Sequence, residues 1–170
     1  MKKIILSFAL LLSLCVGAVA QTKVVFRNGP IGLDWKFKRS FLHGNSLVVD
    51  FVVENNTGKD MNCLILVSAS THIGSLELKA YDDEGTVYSS SILQYENKFS
   101  GKIGSKNSLY DWEMIPRDNL VKVRLQIADI DEYATIIKTL TIPVRVCPNG
   151  TINEVYGEIR VSNIPIPREE

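Results

Sequence analysis

The sequence predicts an all-β protein, an antiparallel β-sandwich of eight to ten short strands. Three observations support this prediction. Apolar and polar residues alternate with a period of two through most of residues 21–170. Segments rich in Gly, Asn and Asp separate the alternating stretches at the spacing typical of sandwiches. No stretch of about 12 or more residues has the 3.6-residue apolar period of a helix, although residues 129–138 can include a short helical turn.

The first 20 residues predict a signal peptide. Lys2 and Lys3 form a positive n-region, residues 4–16 are an almost unbroken apolar run, and Ala18-Val19-Ala20 supplies the small residues of a cleavage site. The run is shorter than the roughly 20 residues of a membrane-spanning helix, and no later segment predicts a span. We therefore expect cleavage after Ala20 and export to the periplasm, the cell surface or the extracellular space.

Cys15 leaves an alternative open for the N-terminus. A bacterial lipoprotein also carries its lipidated cysteine at the end of an apolar run. The residue before that cysteine is normally Gly, Ala or Ser, whereas this chain has Leu14 there. Loss of Cys15 with the signal peptide is the first prediction, and lipid anchoring at Cys15 is the minor alternative. The short basic start is typical of a bacterial protein.

Residues 21–170 are sufficient for a single sandwich domain, which at this length buries roughly 70% of its unfolded surface. The whole chain has 19 Lys and Arg and 19 Asp and Glu, so loss of Lys2 and Lys3 leaves a net charge of −2. Nucleic-acid-binding domains are usually basic. The densest basic stretch, residues 36–39, is short and alternates as in a strand, so we expect no nucleic-acid partner.

The predicted strands follow one another along the chain, each with an apolar face. In order, their apolar positions are Trp35, Phe37 and Phe41; Leu47, Val49, Phe51 and Val53; residues 63–67, apolar throughout; Leu76, Leu78 and Ala80; Val121, Val123, Leu125 and Ile127; Leu140, Ile142, Val144 and Val146; and Val155, Gly157, Ile159 and Val161. Pro143 cannot donate a ladder hydrogen bond. We therefore expect its strand to lie at an edge or to bulge near Pro143.

Polar turns separate the strands. Residues 43–46, 55–59, 82–85 and 148–150 supply Gly, Asn, Asp and Ser, which favour turns. Asn149-Gly150 is the strongest hairpin signal among them.

Three segments also suggest a family. Residues 47–60 form a strand that ends in an Asn-rich turn, residues 80–85 an acidic-glycine hairpin, and residues 121–127 with 137–142 a late strand pair. Together they resemble the exported immunoglobulin-like domains of unknown function that are common in Gram-negative gut bacteria. The resemblance spans about Leu47 to Val146. It implies an immunoglobulin-like sandwich and an extracytoplasmic location, and it implies no activity.

Residues 129–133 match the spacing of a tyrosine corner, in which the hydroxyl of Tyr133 bonds back to nearby backbone. Asp131 stands where the corner usually has Gly or Ala. An ordinary polar loop is the alternative.

Two cysteines, Cys63 and Cys147, remain after cleavage. In an oxidising compartment they can form a disulfide. Two separate buried thiols are the alternative, and the sequence leaves both open because it does not give the distance between them. A metal site is not expected, because only His43 and His72 accompany the cysteines and no zinc-type spacing is present.

No catalytic constellation is recognisable in the sequence. It has no Gly-x-Ser-x-Gly elbow and no His-Glu-x-x-His helix, and residues 101–106 lack the spacing of a phosphate loop. Residues 82–84 supply three carboxylates that can attract Ca²⁺, but a solvated turn explains them better. Asn55 and Asn149 match the glycan-acceptor pattern and are also better explained as turns. We expect no catalytic residues, no metal, no cofactor and no enzymatic activity.

Aromatic residues are the one sign of a binding surface. Tyr110, Trp112 and Met114 share a face before Pro116, and two further tyrosines lie near loops, Tyr88 and Tyr95. Aromatic rings with polar tips are common at interfaces. The alternative is that Trp112 and Met114 cap one end of the core.

The leading hypothesis is a non-catalytic extracytoplasmic module that contacts another protein or a cell-surface component. A carbohydrate-binding module is the first alternative, in which Tyr110, Trp112 and Trp35 stack on sugar rings. A hydrolytic enzyme with an unrecognised site is the second. The oligomeric state is not predicted.

Overall fold

The structure, a computed structural model, describes residues 23–27, 32–66, 68–71, 74–89, 92–94 and 113–168. The strands of these residues are β1 (Lys23–Arg27), β2 (Leu33–His43), β3 (Ser46–Asn55), β4 (Met61–Ile65), β5 (Ser68–Thr71), β6 (Gly74–Glu77), β7 (Lys79–Asp82), β8 (Val87–Tyr88), β9 (Ile92–Gln94), β10 (Glu113–Ile115), β11 (Leu120–Ile127), β12 (Ile136–Pro148) and β13 (Val155–Pro165). Within this part of the chain no helix is long and apolar enough to cross a membrane. The predicted all-β fold is confirmed.

The strands form two main antiparallel sheets. One sheet has the order β2-β3-β11-β9, and the other has the order β1-β13-β12-β4-β10, with β7 joined to β12 and β8 to β7. The hairpin of β5 and β6 is a separate pair. The described strands outnumber the predicted eight to ten because β8, β9 and β10 are only two or three residues long. Strands of that length are too short to show alternation.

The core lies between the two sheets, on the faces that the sequence predicts. In β3 the side chains of Leu47, Val49, Phe51 and Val53 are at most 1% exposed, and β11 and β12 bury their predicted apolar positions in the same way except for Val121, which is partly buried. Phe51 lies at the centre, with its ring 5.9 Å from that of Trp35 and 6.2 Å from that of Phe37. The alternation therefore predicted which face of each long strand is buried.

The position of Pro143 differs from the prediction. Its strand, β12, is central, with β13 on one side and β4 followed by β7 on the other. Pairing stops at Ile65 and resumes at Lys79, and the β5–β6 hairpin is inserted between these points. Pro143 lies opposite this break, and its carbonyl accepts a bond from the N–H of Leu66 at 2.9 Å. Its missing N–H faces the same side. The absent donor therefore leaves the β12–β13 ladder intact, and the predicted edge position is wrong.

Two other predicted strands are modified. The strand through Leu76, Leu78 and Ala80 is divided, because β6 ends at Glu77 and β7 begins at Lys79. In β13, Val155 is 47% exposed although the other inward positions are buried. Val155 begins its strand beside the 148–154 turn, where the facing sheet no longer covers it.

Candidate functional site: a cationic groove on the β2–β3–β11 face

A β-bulge in β2 places two consecutive basic side chains on the outer face of the sheet. Phe37 pairs with Phe51 and Arg39 pairs with Asp50, so Lys38 is an extra residue with no partner in β3. Consecutive side chains of a regular strand point to opposite faces, and an extra residue resets this alternation. Lys38 and Arg39 are therefore both exposed, and both line the same concavity.

The bulge also determines where the aromatic residues of β2 lie. Trp35 is buried in the core and Phe37 packs against it, as predicted. Phe41 comes after the bulge and pairs with Val48. The predicted stripe of three inward rings is therefore wrong at Phe41, which lies on the outer face beside the two arginines described below.

β11 supplies the opposite wall. Its residues Lys122 and Arg124 pair with Val52 and Asp50 of β3, so across β3 Arg124 faces Arg39 and Lys122 faces Lys36, the residue two positions before the bulge. Because β2 and β11 each lie one strand spacing from β3, the two walls are about 10 Å apart. The space between them, here called the cationic groove, has a volume of about 450 Å³ and is lined by Lys38, Arg39, Asp50, Phe51, Val52, Lys122, Val123 and Arg124. This volume is within the usual range of small-ligand sites.

Asp50 holds the two arginines of the groove in place. Arg124 donates from Nε to Oδ1 of Asp50 at 2.5 Å and from Nη2 to Oδ2 at 3.0 Å, and Arg39 donates from Nε to Oδ2 at 2.9 Å. The pKa of Asp50 is below its usual value, and the hydrogen bonds from Arg124 are the main cause. The carboxylate is therefore ionised and bound from both walls of the groove.

Phe41 further restricts both guanidinium groups. The Cζ atom of Arg39 lies 5.1 Å from the ring centroid of Phe41, and that of Arg124 lies 5.5 Å from it. Cation–π contacts of this kind stabilise a guanidinium over a ring face. The arginine end of the groove is thus ordered without any ligand, and the ring of Phe41 is already in contact with protein groups.

Within the described residues, two lysines of the groove, Lys38 and Lys122, form no close ion pair. The pKa of Glu54 is lowered mainly by its hydrogen bond with Lys36, and the charge of Lys38 contributes to this lowering. The neighbouring Lys36 is ion-paired, because its Nζ lies 2.5 Å from Oε2 of Glu54 and 3.3 Å from Oδ2 of Asp34. Among the described residues, neither Lys38 nor Lys122 has a carboxylate oxygen within 4.0 Å. Lys38 and Lys122 belong to opposite walls of the groove, and Val52 lies on the floor between those walls. The described part of the groove therefore combines two lysines that have no close carboxylate with the apolar side chain of Val52, an arrangement suited to an anionic ligand with an apolar face.

Tyr88, one of the predicted surface aromatics, is 3% exposed. Its hydroxyl donates to Oδ2 of Asp82 at 2.7 Å and accepts from the N–H of Asp131 at 3.0 Å. Burial is the main cause that raises the pKa of Tyr88. The ring joins β8 to the connection between β11 and β12 and presents no stacking face to solvent, because it packs in the core.

The hydrogen bond between the Tyr88 hydroxyl and the N–H of Asp131 stands in place of the predicted tyrosine corner. Tyr133 is 72% exposed, and the N–H of Tyr133 donates to Oδ1 of Asp131. A tyrosine hydroxyl does bind the backbone of this corner, but it belongs to Tyr88, from another strand. The corner prediction is therefore wrong in the identity of the tyrosine.

The remaining predicted aromatic surface is described only in part. Tyr95, Tyr110 and Trp112 lie outside the described residues. Met114 is 46% exposed on β10. Trp35 is 2% exposed and packs edge-on against Phe51, so it offers no face to a sugar ring.

Cys63 and Cys147 are both buried free thiols. Cys63 pairs with Val146, and both side chains belong to the core, whereas the adjacent Cys147 pairs with Asn62 on the other face of the sheet. Side chains on opposite faces do not meet in a disulfide. Burial is the main cause that raises the pKa of Cys63 to about 12. The alternative of two separate buried thiols is therefore the one that the structure has.

The acidic turn is exposed at Glu84, as expected, whereas its first two carboxylates accept structural hydrogen bonds. Asp82 is buried and accepts from the hydroxyl of Tyr88 and the N–H of Thr86. Asp83 accepts from the hydroxyl and N–H of Thr135 and from the N–H of Ile136. Burial alone would raise the pKa of Asp83. The hydrogen bonds from Thr135 and Ile136 together outweigh burial, so the pKa of Asp83 is lowered to about 2. In the described part of the chain, no group of three or more His, Cys, Asp or Glu side chains can hold a metal ion.

Asn55 is likewise a structural residue of its turn. Its side-chain amide donates to the carbonyls of Lys59 and Ile115, both at 2.8 Å, and its Oδ1 accepts from Thr57. The residue is fully buried. The interpretation of this segment as a turn is confirmed.

A second concavity, of about 410 Å³, lies at one end of the sandwich between three turns. It is lined by Gly58, Lys59, Asp60, Arg117 and Asn149. Asp60 joins the turns, because its Oδ1 accepts from the N–H of Arg117 and its carbonyl accepts from the N–H of Asn149. This concavity lacks the two lysines on opposite walls that distinguish the cationic groove.

Sequence reasoning did not find the cationic groove. Residues 36–39 stood out as the densest basic stretch, but a regular alternation would send Lys38 and Arg39 to opposite faces. The bulge that brings them together has no glycine or other local signal.

Comparisons of the chain with protein-family models, with curated proteins and with solved structures found no match.

Proposed function

We propose that the chain is an exported, non-catalytic immunoglobulin-like module that binds a protein or cell-surface component through the cationic groove. The single observation that carries this proposal is that Lys38 and Lys122 line opposite walls of one groove and that, among the described residues, neither has a carboxylate oxygen within 4.0 Å. Such cations beside an apolar floor give little to stability and are suited to recognition of an anion.

The strand order supports an immunoglobulin-like topology. Such domains place strands A, B, E and D in one sheet and C, F and G in the other. Here β2, β3, β11 and β9 correspond to A, B, E and D, and β13, β12 and β4 correspond to G, F and C. On this assignment β7 continues strand C after the inserted β5–β6 hairpin.

The N-terminal residues support export. The basic start, apolar run and Ala18-Val19-Ala20 favour a mature chain from Gln21 in the periplasm or at the cell surface. Intact-mass measurement of the native protein tests this. A chain that starts at a diacylated Cys15 would instead establish a lipid anchor.

Sedimentation with native cell-envelope material tests the binding function. Mature wild-type protein should co-sediment, and Lys38→Glu/Lys122→Glu should remain in the supernatant. The control is Lys23→Glu/Lys59→Glu, which changes the net charge equally at exposed positions outside the groove and should co-sediment like the wild type. Equal retention of the groove variant and the wild type, or no retention of either, would refute the proposal.

The alternatives retain separate tests. Glycan binding that is lost in Trp112→Ala and kept in the groove variant would support a carbohydrate-binding surface around Tyr110 and Trp112. Hydrolytic turnover by the purified chain would support the enzyme alternative.

A further inference from the structure

The cationic groove has three features that restrict the chemistry of its ligand. The first is the placement of charge. Lys38 and Lys122 line two walls whose backbones are about 10 Å apart, and Asp50 lies on the floor between two arginines. An anionic group bound between the lysines is attracted by both ammonium groups, while the charge of Asp50 is already neutralised by Arg39 and Arg124. The ligand therefore carries negative charge at the lysine end.

The second feature is the lack of free backbone groups. β3, which forms the floor, pairs with β2 on one side and β11 on the other along nearly its whole length. An extended peptide laid across this face would lose backbone hydration without gaining ladder hydrogen bonds, which is costly. The groove therefore favours a ligand that presents no backbone amides, and it disfavours an acidic peptide.

The third feature is the apolar floor without a free aromatic ring. Val52 lies on the floor of the groove, flanked in the sheet by Lys122 and the ion-paired Lys36, and the ring of Phe41 is already covered by two guanidinium groups. A neutral sugar usually relies on an aromatic stacking platform. A sugar ring that carries a carboxylate can instead place its C–H face on Val52 and its charge on a lysine.

We propose that the cationic groove binds an acidic polysaccharide, a chain of sugar units that carry carboxylates, with carboxylates held by Lys38 and Lys122. This inference rests on the proposed function and specifies the class of ligand. Its affinity comes from charge contacts at an exposed face, so binding weakens as salt is raised.

The experiment uses mature protein and polygalacturonate as the probe, with binding measured by calorimetry at low salt. Wild-type protein and the control Lys23→Gln/Lys59→Gln should bind equally. Lys38→Gln/Lys122→Gln should bind about tenfold more weakly or worse, because two ion pairs are lost. Fully methyl-esterified polygalacturonate, which lacks the charge, should not bind. Thermal unfolding at the wild-type midpoint would show that the groove variant is folded.

Several results would overturn the inference. Equal binding of the groove variant and wild type would place the ligand elsewhere. Tighter binding of polyglutamate or single-stranded DNA than of polygalacturonate would identify an acidic protein or a nucleic acid as the partner class. No binding of polygalacturonate, together with groove-dependent retention on the cell envelope, would refute the ligand class and leave the proposed function standing.

A structural role for the lysines gives a different result. Lysines and bulges on an edge strand such as β2 also prevent edge-to-edge association. If the groove variant oligomerises on size-exclusion chromatography and its retention on the cell envelope equals that of the wild type, both the inference and the proposed function are wrong.

Discussion

At the residue scale, Asp50 determines the geometry of the cationic groove. Its carboxylate accepts three hydrogen bonds from two arginines that belong to different strands. The sequence shows Asp50 only as an outward residue of a strand, because its partners Arg39 and Arg124 are recognised only once strand register is known. Charged pairs between strands are a consequence of register and carry no local signal.

Asp50→Asn should lower the free energy of unfolding by about 1.5–3 kcal/mol, because charge-assisted bonds are lost and two guanidinium groups keep no counter-charge. Glu54→Gln, which removes an exposed ion pair on the same strand, is the matched control and should cost much less. Urea unfolding of both variants measures this. Equal midpoints would show that Asp50 does not organise the groove.

Asp83 predicts a pH dependence of stability. Its folded-state pKa of about 2 is below the ordinary value near 3.8, so its ionised form stabilises the fold above pH 4. This contribution is lost as the pH falls from about 4 to 2. Asp83→Asn should therefore be less stable than wild type at pH 7, and the difference should narrow towards pH 2. A difference that stays constant between pH 7 and pH 2 would contradict the assigned bonds to Thr135.

At the element scale, alternation predicted which face of β3, β11 and β12 meets the core, although the other face of β12 is also largely buried at Thr141, Pro143 and Cys147. Alternation failed at β2, where Lys38 adds a residue, and the edge position expected from Pro143 was wrong because Pro143 lies opposite an interrupted neighbour of β12. Both failures arise from the partner strand. The residues of a strand indicate which of its side chains point to the core. They do not indicate which residues of the neighbouring strand they pair with, so bulges and insertions are not predicted.

Phe51→Ala should destabilise the protein by about 3–5 kcal/mol, because it removes the central ring of the core. Lys122→Ala, on the outward face of β11, should change the free energy of unfolding by no more than about 0.5 kcal/mol. Chemical denaturation of the two variants provides the measurement. Comparable midpoints would mean that the facing of these strands is reversed.

Deletion of Lys38 tests the bulge directly. Removal of the extra residue makes the β2–β3 ladder regular and keeps every other pair in register. The deletion should therefore fold with a stability within about 1 kcal/mol of the wild type while it weakens ligand binding. Deletion of Lys122 is the control, because β11 has no bulge and a one-residue shift turns half of that strand over. If both deletions unfold the protein, the bulge is not a separable element.

At the scale of the whole molecule, a near-neutral chain carries a locally cationic face. The net charge of −2 predicted for residues 21–170 conceals this face, because the basic residues of the groove come from two strands far apart in sequence. Alternation and turn spacing therefore predicted the fold class, and the near-neutral charge argued against a nucleic-acid partner. Neither predicted the groove, which exists only once β2 and β11 flank β3.

The location of the bound ligand tests the central claim most directly. Titration of isotope-labelled mature protein with short galacturonate oligomers, followed by amide chemical-shift mapping, gives this location. We predict that the largest shifts occur at Lys38, Arg39, Val52 and Lys122, and that they disappear at high salt. Shifts confined to residues 95–112, or to the turns around Lys59 and Arg117, would contradict the assignment of the cationic groove as the binding site.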